Sequence, residues 1–271
     1  MIPKIIHYCW FGNGSIPEKD RKCIESWKKF CPDYEIKLWN ESNYDISKNK
    51  YMREAYESGK WGFVPDYARL DIVYRHGGLY LDTDVEIIKN FDDLLANKAF
   101  MGFEKEGAVA PGLGFGAEKE SKIIKYLMEW YEEHSFLDER GKPILTASPA
   151  INTQELKKIG LKQDGSRQML LNELTVYPAD FFCPMDYENR EMNITENTYS
   201  IHHYASSWMP EEEIKAHMNR IKYRNRYGEK GAIIAKIVNF PIRLKFHIKD
   251  KGVGGTVCFA INKIKGGLLD D

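Results

Sequence analysis

The sequence predicts an α/β fold, a parallel sheet covered by helices, followed by a helical and strongly basic C-terminal segment. Three observations predict it. The first forty residues read as strand, helix, strand, the unit from which parallel sheets are built. The apolar run "GLYL" then ends abruptly in "DTDVE", with carboxylates at positions 82, 84 and 86. Residues 214 to 269 carry thirteen Lys or Arg against two acids, an excess of eleven positive charges. The whole chain has a net charge of −1, so the remainder must carry an excess of twelve negative charges.

The elements follow in order. "KIIHYCWFG" is apolar throughout and reads as a strand buried on both faces. "NGS" turns the chain. "IPEKDRKCIESWKKF" reads as a helix with Pro17 near its start and an apolar side of Ile16, Cys23, Ile24, Trp27 and Phe30. "CPDYEIKLWN" supplies a turn and a second strand. Residues 49–60 read as a helix stopped by Gly59, and residues 62–75 as another with Phe63, Tyr67, Leu70 and Tyr74 in one stripe. "HGG" caps it. "LYL" is a short buried strand leading straight into "DTD". "FDDLL" is a helical turn, "AFMGF" a strand, and the glycine-rich "VAPGLGFGA" an irregular strand pair around a turn. "SKIIKYLMEWYEEH" is a helix, "TASPAINTQELKKIG" a loop entering a helix, and "LTVYPADFF" and "YSIHHYASSW" are strands running into loops.

The totals narrow the function. A chain of 271 residues with 43% hydrophobic content supports one large core. A net charge near zero argues against a nucleic-acid partner. The five cysteines, at 9, 23, 31, 183 and 258, are odd in number and form no CxxC. That pattern suggests neither a disulfide framework nor a zinc site, and fits a reducing cytoplasm. "MIPKIIHYCWFG" is too short and too soon polar for a signal peptide. No apolar run reaches the roughly 18 residues of a membrane span.

The chemistry centres on "DTD". In an extended segment side chains two apart face the same way, so Asp82 and Asp84 are expected to converge on one object. Two hard carboxylates suit Mg²⁺ or Mn²⁺ when phosphate oxygens and waters complete the shell. A departing diphosphate needs such neutralisation. A buried strand delivers these acids to the sheet edge, where α/β folds bind ligands. Asp66 and Arg69 share a helix face. On spacing alone they make an intrahelical ion pair; functionally, Asp66 would hold sugar hydroxyls and Arg69 the sugar or diphosphate. "HHYASSW" offers His202 and His203 as imidazole ligands and Trp208 as a closing ring, against a reading as hydrogen-bonding loop residues. His7, Trp10, Phe11 and Gly12 end the first strand, either as a base-stacking platform with close backbone approach at Gly12 or as core aromatics.

Together "IPKIIHYCWFG", "PDYARLDIVYRHGGLYLDTDVEII" and "IHHYASSW" resemble the glycosyltransferases with the DXD sugar-binding motif. That family includes initiating mannosyltransferases, α1,4-galactosyltransferases and capsular polysaccharide synthesis enzymes. The resemblance covers roughly the first 105 residues and the "HHYASSW" segment. It implies a GT-A fold, a Rossmann-like mixed sheet flanked by helices, with residues 1–209 as catalytic domain and 210–271 as a basic helical extension. It implies a nucleotide-sugar donor (a UDP-sugar favoured), Mn²⁺ or Mg²⁺, and transfer with retention. It also implies roles. Asp84 is the main metal carboxylate and Asp82 supports the metal and meets ribose or sugar. Asp66 and Arg69 are the donor-sugar aspartate and its arginine, and His203 is the C-terminal metal ligand, with His202 as the fallback. Trp208 touches the donor phosphate, and His7, Trp10, Phe11, Gly12 and Gly78 complete the donor site. "TASPAINT" is faintly similar to an acceptor-side segment, which draws attention to Ser148.

In the basic tail, charges alternate with apolar residues, as in "AIIAKIVNFPIRLKFHIK". The pattern suits an amphipathic helix on an anionic membrane, or a helix packed on the catalytic domain. A lipid-linked oligosaccharide or other glycan acceptor, and a place on the inner face of the plasma membrane in bacterial surface polysaccharide synthesis, are the matching expectations. A metal-dependent nucleotidyltransferase and a non-catalytic nucleotide-sugar-binding protein are the competing readings. The first is disfavoured because "WFGNGS" lacks Lys or Arg.

Overall fold

The structure, a computed structural model, describes residues 1–104, 107–205 and 209–265, with side chains to Phe246 and at Ile248. The opening βαβ unit forms as expected: β1 (Ile5–Cys9), α1 (Glu18–Phe30) and β2 (Glu35–Trp39), with β1 and β2 parallel. Asn49 caps α2 (Lys50–Glu57), its side chain accepting the Met52 N–H at 2.9 Å. α3 (Pro65–His76) ends at Gly77, whose φ of +66° explains the glycine. β3 (Gly78–Tyr80) then pairs parallel to β1.

The sheet is mixed. Beyond β3 come β5 (Ala99–Gly102), β6 (Phe115–Ala117), β7 (Gln168–Leu170) and β8 (Leu174–Tyr177), giving seven strands in the order β2-β1-β3-β6-β5-β8-β7. β6 is antiparallel to both β3 and β5, and β7 to β8. The glycine-rich stretch is therefore one sheet strand behind a 3₁₀ turn at Pro111–Leu113, not a hairpin. α4 (Lys122–Glu133) and α5 (Ser148–Lys158) follow in the chain. Core side chains gather in two clusters, one including Val64, Leu70, Phe115 and Leu127, the other Ile6, Trp27, Leu79 and Phe91.

Two expectations change. The single apolar stripe on α3 is too modest: every residue from Asp66 to Val73 is buried, because the helix packs against α2, α4, β1 and β3. Nor does the strand run on through "DTD". After Tyr80 the chain turns, with the Val85 N–H bonded to the Asp82 carbonyl at 3.1 Å, and β4 (Val85–Ile87) leaves the main sheet. β4 pairs antiparallel with β9 (Ser200–His202), Val85 opposite His202.

The chain forms two compact units. One holds Met1–Asp186 and Met192–Ala205; the other holds Tyr187–Glu191 and the chain after residue 205. In the second, α6 (Glu211–Tyr227) and α7 (Glu229–Lys265) pack together.

Candidate active site

The site is built on the "DTD" turn and on what clamps it. Helix α1 holds the segment at three points. Asp20 accepts from the Thr83 hydroxyl at 2.7 Å, Trp27 Nε1 donates to the Val85 carbonyl at 2.6 Å, and Ser26 Oγ accepts the Ile87 N–H at 2.8 Å. On the other side Leu81 N–H bonds the His7 carbonyl, and Asp82 N–H the Gly112 carbonyl. The turn is thus fixed by backbone and side chain before any ligand arrives.

The turn sends the two acids to different partners. Asp84 is buried; its Oδ1 lies 3.3 Å from His202 Nε2 and its Oδ2 accepts the Ala205 N–H at 2.7 Å. Burial pushes its carboxyl up, but the charge and hydrogen bond of His202, with the Ala205 N–H, outweigh burial and hold it at about 2. Burial pushes His202 down, and Asp84 more than reverses this. His202 Nδ1 is buried without a partner among the described residues. Asp82 is half-buried, with Tyr80 OH at 3.1 Å and the Arg69 guanidinium at 3.6 Å. Burial raises its carboxyl and Arg69 opposes the rise.

Behind Asp82 lies a buried polar cluster. Arg69 is anchored by the Pro65 carbonyl at 3.0 Å and by Asp66 at 3.1 Å, and its guanidinium lies 5.2 Å from the Tyr80 ring centre. One cation is therefore shared by two carboxylates. Burial pushes Asp66 up to about 7 against the pull of Arg69, and a Ser148 hydrogen bond lowers it. Tyr51 OH, close enough to feel Asp66 and Arg69, and Asn152 Oδ1 are buried without partners among the described residues. Such atoms are costly unless a ligand or water meets them.

The donor set tests the expected metal. Asp84, Asp82 and His202 are the hard oxygen and imidazole donors that suit Mn²⁺ or Mg²⁺. Among the described residues no three or more His, Cys, Asp or Glu come together as a group that could hold a metal ion by themselves. A partial set fits a cation that takes its remaining ligands from phosphate and water, as Mg²⁺ typically does.

Several expected residues are placed elsewhere. His203 meets Glu86 at 2.8 Å, so it is the fallback, His202, that reaches Asp84. The β4–β9 register sets His202 opposite Val85 and accounts for His203 lying on the Glu86 face; Asp84 precedes β4, and from the turn its carboxylate reaches His202 instead. His7 is wholly buried; its Nε2–H donates to the Gly77 carbonyl at 2.9 Å and its Nδ1 accepts from Trp39 Nε1 at 3.1 Å. It has no nitrogen left for a donor. Gly78, with φ of +101°, lets β3 approach β1, since a Cβ there would lie 2.7 Å from the Ile5 carbonyl. Phe11 is buried against Tyr44. Gly12 faces the Trp61 ring, which a Cβ would meet at 2.8 Å. Trp10 is half-buried and donates to the Gly14 carbonyl at 2.6 Å. Trp208 lies outside the described residues.

Residues 17–101, which hold α1, Asp66, Arg69 and the "DTD" turn, match the family described as glycosyltransferase sugar-binding region containing DXD motif. Over this segment the chain is similar to that family. Inositol phosphoceramide mannosyltransferase 3 of Schizosaccharomyces pombe is 34% identical over 108 residues, covering 37% of this chain and 29% of that protein. Uncharacterized glycosyltransferase L373 of Acanthamoeba polyphaga mimivirus is 37% identical over 101 residues, covering 35% of this chain and 40% of that protein. Subversion of eukaryotic traffic protein A of Legionella pneumophila is 25% identical over 249 residues, covering 69% of this chain and 38% of that protein. The chain thus spans well under half the length of these relatives.

Sequence reasoning missed Asp20, Gly112, Tyr51 and Asn152. Asp20 sits on a helix that reads as amphipathic and solvated, and only its burial sets it apart. Gly112 packs on the site: a Cβ there would collide with the Asp82 carboxylate and come within 3.3 Å of Arg69. The signal was present in the glycine-rich "PGLGFG", although its partner in space was not.

Proposed function

We propose that this protein is a retaining glycosyltransferase moving a hexose or N-acetylhexosamine from a nucleotide sugar to a glycan or lipid-linked oligosaccharide, in bacterial surface polysaccharide synthesis. Residues 1–209 form the catalytic domain, with a GT-A fold, working in the cytoplasm where nucleotide sugars are made. The observation that carries the reading is one turn that presents Asp84 to His202 and Asp82 to the Arg69–Asp66 pair, within a segment that matches the DXD family. A UDP-sugar is the favoured donor. The mannosyltransferase name of the Schizosaccharomyces pombe relative sets GDP-mannose beside it.

Asp84 and His202, with Asp82 two residues away on the same turn, would hold Mn²⁺ or Mg²⁺, which supplies neutralisation of charge growing on the departing diphosphate. Arg69 adds fixed positive charge at the same place, pre-oriented by Asp66 and Asp82. Asp66, with Tyr51 and Asn152 as further partners, accepts and donates hydrogen bonds to sugar hydroxyls and so orients the ring. The anomeric carbon–phosphate oxygen bond breaks, and the bond to the acceptor oxygen forms on the same face. The departing phosphate oxygen takes the acceptor proton, so no protein base is required.

The test is release of free nucleoside diphosphate from a panel of UDP- and GDP-sugars, with Mn²⁺ or with EDTA. Manganese-dependent release from one donor, lost in Asp84→Asn, supports the reading and names the sugar. No release from any donor, together with calorimetric nucleotide binding indifferent to Mn²⁺, would overturn it.

A further inference from the structure

Helix α7 carries two faces of different chemistry. At 3.6 residues per turn, Gly231, Ala235, Asn239, Ile242 and Phe246 share one side. Gly231, Ala235 and Asn239 are buried, and Asn239 bonds the Ala216 carbonyl and Asn219 of α6, both at 2.8 Å. A Cβ on Gly231 would collide with the Tyr223 carbonyl, so the two helices touch backbone to backbone there. The opposite side carries Ile233, Ile237, Leu244 and Ile248. Ile233, Ile237 and Ile248 are exposed by 50%, 62% and 44%, an apolar stripe facing away from α6 and interrupted by Pro241 between Ile237 and Leu244. Lys230 and Lys245 fall on or beside the same arc and are exposed, and Lys236 and Arg243 flank its far edge.

This is the arrangement of a helix that lies in an interface, with isoleucines inward and cationic heads at the water side. No helix among the described residues is long and apolar enough to cross a membrane. The excess of eleven positive charges over residues 214–269 selects a negatively charged partner surface. A second copy of the chain would bring like charges together, and a nucleic acid would leave the isoleucines unburied. We propose that α7 docks on an anionic bilayer, with Ile233, Ile237, Leu244 and Ile248 in the acyl boundary and Lys230 and Lys245 among the lipid phosphates. The proposal is independent of the transferase reading.

The full chain is sedimented with vesicles of phosphatidylcholine alone and of phosphatidylcholine with phosphatidylserine. The protein pellets with the anionic vesicles, little with the neutral ones, and less as salt rises. Ile233→Asp with Ile237→Asp abolishes pelleting. Lys230→Glu with Lys245→Glu weakens it by about fivefold or more per charge; both lysines are exposed, and circular dichroism checks that these variants stay folded. Asp84→Asn pellets like the parent chain, so docking and catalysis are read separately. Equal pelleting with neutral vesicles, undiminished pelleting of the variants, or a vesicle-free dimer that the isoleucine variant dissociates would each overturn the proposal.

Discussion

The hydroxyl of Thr83, the middle residue of "DTD", donates at 2.7 Å to Asp20, a buried carboxylate on α1. The spacer of the motif is therefore tied down, and the two acids on either side inherit its position. Asp20 touches neither expected metal ligand by hydrogen bond, so it acts as a positioning residue. Asp20→Ala is expected to lower manganese-dependent donor cleavage by about 10- to 100-fold, the scale of losing an outer-shell partner. The manganese concentration needed for half-maximal rate should rise in parallel. Asp20→Asn keeps an acceptor for Thr83 and should recover much of both. Equal losses in the two variants would mean that the carboxylate charge matters, not the hydrogen bond.

The two histidines separate cleanly. His202 faces Asp84 and His203 faces Glu86. His202→Ala is expected to cost at least about tenfold in manganese-dependent donor cleavage, and His203→Ala only a few-fold. The reverse order would return the ligand role to His203.

Gly112 leaves no room for a methyl group beside Asp82. Gly112→Ala is expected to cost about 1–3 kcal/mol of stability by overpacking and to displace the acid from Arg69, with most donor cleavage lost. Gly14, where a Cβ meets nothing within 4 Å, is the control. Gly14→Ala should shift the urea midpoint little and leave turnover unchanged.

Arg69 neutralises two carboxylates from a buried position. Removing one partner from such a cluster typically costs about 3–5 kcal/mol, so Arg69→Met alone should be severely destabilised. Arg69→Met combined with Asp66→Asn should recover part of the loss in urea denaturation while remaining inactive. A single variant as stable as the double would show that the carboxylates are solvated after all.

His7 makes the fold sensitive to acid. Burial lowers its imidazole from 6.5 to about 4, and both nitrogens are committed in the neutral form. Between those values the unfolded chain binds a proton that the folded chain refuses, so stability rises with pH across this window and is lost as pH falls through it. The full loss below pH 4 amounts to roughly 3 kcal/mol. Urea midpoints at pH 7 and pH 4.5 measure it, and His7→Gln should lose much of the difference. Nitrogen NMR at neutral pH should find the proton on Nε2.

The sequence by itself determined the opening βαβ unit, the capped α2 and α3, and the location of the acids at the end of a buried strand. Local signals carry these: apolar runs, cap residues and glycines at positive φ report on their own neighbours in the chain. It also determined that Asp66 and Arg69 share a helix face, because three-residue spacing alone requires it. Tertiary structure decided the rest. The pairing of β4 with β9 brought the histidines to the motif, and the turn ahead of β4 gave Asp84 to His202 rather than His203. The helix α1 contact made Asp20 part of the site, and the turn at "DTD" sent Asp82 to Arg69 and Asp84 to His202. His7 and Gly78 read as ligand-binding residues because they border the motif, yet strand packing gave both to the core. These outcomes join residues from 13 positions apart, Arg69 with Asp82, to 118, Asp84 with His202, or weigh burial against charge, and neither quantity is written in local spacing.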